Sequence, residues 1–152
     1  NCIVIFGELF GGGYPGYENC SPIQQGIWYS PMVEFAIFDI CHNLNSNEMS
    51  YLPYSQTLAL AEKHHLFVLK PLFIGSYREA SQYNISFQST IPSLLSLPLE
   101  NLSSSNQAEG VVIRELEASY PCHASRPILK IKSVEFSEGD GCPPGDLTDA
   151  HL

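Results

Sequence analysis

Apolar residues in this chain come in short, β-branched or aromatic bursts, each stopped by glycine, proline or charge, and never in a long run. The sharpest burst is Ile3-Val4-Ile5-Phe6, followed later by Glu34–Ile40 (EFAIFDI) and Leu66–Leu69. Runs of this length suit strands and are too short for a bilayer-spanning helix. The first burst reads as a buried strand and leads into Gly7-Glu8-Leu9-Phe10-Gly11-Gly12-Gly13, where three successive glycines permit positive φ and close backbone approach. A loop rich in Pro, Gly and Tyr runs on to Pro22.

Past the Glu34–Ile40 strand, Asn43–Ser50 is polar and reads as a loop. The spacing of Leu58, Ala61 and His65 predicts a helix over Ser55–His65, with Ser55 as its cap. Thr90–Leu99 holds two prolines and reads as a broken helix or turn, and Asn101–Gln107 as a polar linker. Gly110–Arg114 and Ile128–Lys132 read as two further strands, separated by a loop with Pro121 and Pro127. No internal repeat is visible. The sum is an α+β domain with mainly antiparallel sheets. Residues 1–138 form the domain, and 139–152 an acidic tail without periodicity, expected to fray.

Composition excludes several classes. Hydrophobic residues make up 44% of the 152, enough for a packed core and too many for a disordered chain. Seven Lys and Arg face 16 Asp and Glu, a net charge of −9, which argues against nucleic-acid binding by bulk charge. Five of the acids (Glu135, Glu138, Asp140, Asp146, Asp149) lie from position 135 onward, where no Lys or Arg occurs. Without them the balance is 11 against 7, or −4, so a local basic site remains open. The five cysteines include no C-x-x-C pair, and reduced intracellular thiols are the expectation. The first residues show no basic-then-apolar signal peptide, and the three N-x-S triplets at Asn19, Asn84 and Asn101 carry little weight without one.

Four segments set charge at a strand end: Glu8 in GELFGG, Asp39 in FAIFDI, Glu109 in AEGVVIRE, and Lys130 with Lys132 in LKIKS. Alternation puts the two lysines on one face, where an anion such as a phosphate chain relieves their repulsion. On spacing alone, a solvent-facing sheet edge is the commoner outcome. Glu8 follows Gly7 and Glu109 precedes Gly110, so a ligand can approach the backbone beside a carboxylate that accepts from ribose hydroxyls or metal-bound water. Turn chemistry is the plainer account of each pair. Phe38 beside Asp39 sets an aromatic face near a carboxylate, although a lone Phe is usually core.

Read in order, GELFGG, FAIFDI, AEGVVIRE and LKIKS resemble the covalent nucleotidyltransferases, specifically the ATP-dependent RNA ligase 2 family. GELFGGGYP followed by IQQGIWYSP is most similar to the RNA-editing ligases within it. The resemblance runs from Ile5 to about Glu138 and implies an ATP-grasp-like nucleotidyltransferase fold, incomplete at its N-terminus. It implies Glu8 on the ribose, Phe38 stacked on adenine with Asp39 beside it, Glu109 tied to a divalent metal next to Gly110, and Lys130 and Lys132 on the ATP phosphates. It implies ATP and Mg²⁺ (or Mn²⁺) as cofactors and nicked or paired RNA ends as substrate. The implied location is intracellular, and mitochondrial by analogy with editing ligases. The lysines are expected to face a concave pocket together with Phe38 and Glu8.

The family's nucleophilic lysine lies in a K-x-x-G motif upstream of GELFGG. None of the six residues before Gly7 is lysine, and neither Lys63 nor Lys70 is followed by Gly three residues on. The expectation is a C-terminal part of a ligase domain, unable alone to adenylylate itself. The other readings are a degenerate, non-catalytic nucleotide- or RNA-binding module, or a related DNA ligase or capping enzyme.

Overall fold

The computed structural model describes residues 2–18, 21–43, 48–102 and 105–137. The acidic tail lies outside them. The dominant element is an antiparallel hairpin of β1 (Ile3–Gly13) and β2 (Ser30–His42). Two short strands, β3 (Ser50–Tyr51) and β5 (Tyr120–Pro121), extend it into a sheet of order β1-β2-β3-β5. A second sheet pairs β4 (Gly110–Arg114) with β6 (Ile128–Lys132), antiparallel. The helices are short: α1 (Tyr54–Lys63), α2 (Tyr77–Ala80) and α3 (Ile91–Leu94).

Both hairpin strands outrun their sequence signals. β1 continues through the glycines because the ladder needs their missing side chains. Gly11 and Gly12 hold φ of +87° and +84°, and a Cβ on Gly11 would sit 2.4 Å from the Met32 carbonyl oxygen. Ile3–Phe6 is a strand, as expected, but not a buried one. Its four side chains are 37–60% exposed, because β1 is the sheet's edge. Glu34–Ile40 lies inside β2, and Ser50 has left the expected Asn43–Ser50 loop for β3.

The helix begins at Tyr54 behind Pro53, and no side chain caps it. Ser55 Oγ instead donates to Glu117 at 2.7 Å, and His65 falls outside the helix with φ of 55°. Leu66–Leu69 contributes only a single parallel bridge, Val68 to Ile37. Thr90–Leu99 resolves into α3, with Pro92 in its first turn, and the start of a 3₁₀ turn, Leu99–Asn101. α2 carries a full capping box, Ser76 with Glu79. None of the described helices is long and apolar enough to cross a membrane.

The core gathers at the glycine-rich end of the hairpin. Phe10, Ile27 and Tyr29 are buried there, against Ala36, Phe67, Ile91, Leu95 and Phe136. The Phe10 and Tyr29 rings meet edge-on at 5.9 Å. Cys41 on β2 and Cys122 beside β5 are paired as a disulfide, against the expectation of reduced thiols; Cys2 is free. Sequence spacing does not show that β2 and β5 lie on one sheet with only β3 between them, and it is that adjacency which brings the two cysteines together.

Candidate functional site

Strand β2 has one residue too many for its partner. Phe6 pairs with Asp39 and Gly7 with Ile37, so Phe38 is the extra residue of a β-bulge. Bulges re-aim a side chain out of the ladder. Phe38 is accordingly 42% exposed between two buried neighbours, Ile37 and Asp39. Its ring does not fill the core.

Asp39 is 1% exposed and gives one carboxylate oxygen to each of two arginines. Arg114 Nη2 donates to Oδ1 at 2.6 Å, and Arg126 Nη2 to Oδ2 at 2.9 Å. Each guanidinium also lies over a tyrosine ring, Arg114 over Tyr54 at 4.4 Å and Arg126 over Tyr51 at 3.6 Å. The Asp39 bond pushes the Arg126 pKa still higher. Arg114 Nη1 donates to the Phe38 carbonyl at 2.8 Å. Asp39 therefore faces two arginines, while Phe38 faces solvent, and Arg114 bonds both the Asp39 carboxylate and the Phe38 carbonyl.

Arg114 ends β4, and the register shows what shares its face. Gly110 pairs with Lys132, Val112 with Lys130, and Arg114 with Ile128. Directly paired residues point the same way, and alternate residues share a face. Lys130, Lys132 and Arg114 thus project from one side of the two-stranded sheet, with the lysines about 7 Å apart along β6. Both lysines are exposed. Their exposure departs from the concave pocket that the sequence suggested, because the β4–β6 sheet has only two strands. Gly110 has a structural reason of its own: a Cβ there would lie 2.0 Å from the Ile131 carbonyl oxygen. Only glycine lets β6 come this near.

At the other end of β4, Glu109 is half-buried and accepts from the Tyr29 hydroxyl at 2.8 Å. Its carbonyl accepts from the Ser133 N–H at 2.8 Å, which ties it to the end of β6. Burial, then the bond to Glu109, then the charges of Glu109 and Glu8 raise the Tyr29 pKa well above the ordinary phenol value. Glu8 is exposed and pairs with Ala36, on the face of β1 that also carries Phe10. One tyrosine thus lies within electrostatic reach of both glutamates named from the sequence.

Asn106 brings these parts together. It is 2% exposed, and its amide both donates to the Trp28 carbonyl and accepts from the Trp28 N–H, each at 2.8 Å. That double bond joins the segment before β4 to the segment before β2 and sets Glu109 beside Tyr29. Sequence reasoning missed Tyr29, Asn106 and Arg126. Tyr29 had a weak signal in GIWYSP, an aromatic pair directly before a strand. Arg126 and Asn106 had none, since their partners lie 87 and 78 residues away.

The site is therefore a stacking-capable aromatic at a bulge of β2, two exposed lysines on β6 of the other sheet, and two carboxylates around a buried phenol. Lysines attract anions, carboxylates accept from hydroxyls or hold hard cations, and an exposed ring stacks on a planar base. Residues 1–132 of the chain match the family model described as RNA ligase. No curated protein matches the chain.

Proposed function

The chain belongs to the RNA ligase family, and on that premise we propose that its open face binds ATP and serves the joining of a 3′-hydroxyl to a 5′-phosphate of nicked or paired RNA. The observation that carries this reading is the β4–β6 register. It sets Lys130 and Lys132 on the same side as Arg114, and Arg114 reaches the backbone of the bulged Phe38.

In this reading Phe38 stacks on adenine, Glu8 accepts from the ribose, and Lys130 and Lys132 hold the phosphates. Charge accumulates on phosphate oxygens as AMP is transferred, and two fixed ammonium groups stabilise it more in the transition state than in the ground state. Asp39 acts indirectly, by holding Arg114 against the Phe38 carbonyl. The reaction proceeds through an enzyme–AMP and then an RNA-adenylate intermediate. No K-x-x-G lysine occurs in these 152 residues, so the proposal assigns them the nucleotide- and phosphate-holding part of the site.

The donor set suits Mg²⁺ or Mn²⁺. Glu109 offers one carboxylate oxygen beyond the one that Tyr29 holds, and it is a hard donor. Among the described residues no group of three or more His, Cys, Asp or Glu forms a ready cage. Mg²⁺ is usually held by one or two carboxylates together with substrate phosphates, so Glu109 is the residue that would hold it. A metal there would neutralise charge on the triphosphate.

The test is ATP binding by calorimetry. Phe38→Ala and Lys130→Ala should each weaken binding about tenfold, through loss of a stacking face and of a charge-assisted contact. Lys130→Arg should restore it only in part, since a planar fork replaces a compact ammonium. Unchanged ATP affinity in both alanine variants would sink the reading. With α-phosphate-labelled ATP, the chain should show no covalent label on a denaturing gel, and a labelled band would place the nucleophile within it.

A further inference from the structure

Two cysteines and one arginine converge on the junction behind Phe38. Cys41 lies two residues after Asp39 on β2, is 1% exposed, and is bridged to Cys122 beside β5. Arg126 follows Cys122 by four residues and donates to Asp39 Oδ2. The bridge therefore fastens the segment that delivers Arg126 to the strand that receives it. Its companions on this segment are light. β5 has two residues, the Cys122 N–H donates to the Met49 carbonyl at 2.9 Å, and Ser119 Oγ donates to the Tyr51 carbonyl at 2.7 Å. Tyr51, whose ring lies under Arg126, is the β3 residue that pairs with Cys41 on one side and Tyr120 on the other.

Arg126 decides what Arg114 can do. While Arg126 occupies Oδ2, Arg114 uses Nη2 on Oδ1 and keeps Nη1 for the Phe38 carbonyl. An arginine facing a carboxylate with both oxygens open pairs with it through two parallel bonds. Arg114 has a donor to spare for this, because its Nε is buried without a hydrogen-bond partner. With Arg126 withdrawn, Oδ2 would be left buried and unsatisfied, which costs more than turning one guanidinium. Arg114 then closes the fork on Asp39, and Nη1 leaves the Phe38 carbonyl. The bulge that displays the ring loses its tie to β4.

We propose that Arg126 is a positioning residue for Phe38, and that the Cys41–Cys122 bridge sets its place and so makes nucleotide binding sensitive to thiol reductants. The inference rests on the ligase reading above, in which Phe38 stacks on adenine. The reductant is a dithiol. One of its thiolates attacks the half-buried Cys122 sulfur, forms a mixed disulfide there and releases Cys41, which takes up a proton. The second thiolate closes the reductant's own disulfide and releases Cys122 as a thiol, so two electrons pass from the dithiol to the cysteine pair.

The experiment is ATP calorimetry on the bridged chain and on the same chain reduced with dithiothreitol, with a far-ultraviolet circular dichroism spectrum of each. Reduction should weaken ATP binding about three- to tenfold, the scale of one net hydrogen bond, and leave the spectrum in place. Arg126→Gln should bind ATP as weakly as the reduced chain, and reducing that variant should change its affinity by less than about twofold, since the two changes act on one contact. Arg126→Lys, which returns a charge to the single oxygen involved, should recover part of the loss. Unchanged ATP affinity on reduction of the unaltered chain overturns the proposal, and so does an Arg126→Gln variant that loses as much on reduction as the unaltered chain. No recovery in Arg126→Lys overturns it too, as does a spectrum that collapses on reduction, because the bridge would then hold up the fold and not the arginine. Each of these leaves the ligase reading standing. If the bridged chain binds no ATP, the ligase reading falls and this proposal with it.

Discussion

Asp39→Asn isolates the junction that holds the two sheets together. The change keeps the shape and removes one charge. Asp39 is buried, and the side chains of Arg114 and Arg126 are only 18% and 17% exposed. The substituted amide accepts from one guanidinium at most and turns an N–H towards the other. Breaking a buried pair by removing one partner costs about 3–5 kcal/mol. Because both arginines keep some contact with water and a tyrosine ring, the lower end applies, about 3 kcal/mol. For a domain of this size that corresponds to a fall of roughly 6–12 °C in Tm. The assay is thermal unfolding followed by circular dichroism at neutral pH, with Glu62→Gln as its control. That variant makes the same carboxylate-to-amide change in the exposed Lys70–Glu62 pair at 2.7 Å, whose side chains are 73% and 56% exposed, and it should leave Tm almost unchanged. An Asp39→Asn shift no larger than the control's would refute the argument that burial makes this pair matter.

Two further outcomes follow from the structure. The Tyr29 phenol has a raised pKa in the folded chain, so the stability it contributes is complete below its unfolded value of about 10 and is lost as pH climbs beyond it. Denaturant midpoints should fall more steeply above about pH 10 in the unaltered chain than in Tyr29→Phe, and parallel slopes would contradict the buried phenol–carboxylate bond. Reducing Cys41–Cys122, which closes a loop of 81 residues, should cost about 2–4 kcal/mol. Peptide mapping without reductant should recover the two cysteines linked, and free alkylation of both would rule the bridge out.

Strands β4 and β6 were legible to the residue because each is a short β-branched run between breakers, and local signals suffice for such a strand. The hairpin was legible in kind and not in extent. Glycine normally ends a strand, and here the ladder continues through Gly11–Gly13 where close neighbours leave no room for a Cβ: Met32 and Ser30 at Gly11, Ser21 at Gly12, Pro22 at Gly13. The site residues named from motif order were Glu8, Phe38, Asp39, Glu109, Gly110, Lys130 and Lys132. The structure sets Phe38 and Asp39 back to back, one in solvent and one enclosed. No sequence pattern separates those two fates, since they depend on a bulge and on arginines far along the chain. Asn106 was read as linker because polar residues between strands usually are; its clamp on Trp28 exists only once the chain has folded.

The bulge at Phe38 also bears on how such a face can be lost. Ile37 already opposes Gly7, and Asp39 already opposes Phe6, so deleting a single codon at position 38 would leave an unbroken ladder. The hairpin would be more regular without the residue than with it. The ladder itself does not hold the residue; what ties it inward is the bond its carbonyl accepts from Arg114, which a deletion would have to replace.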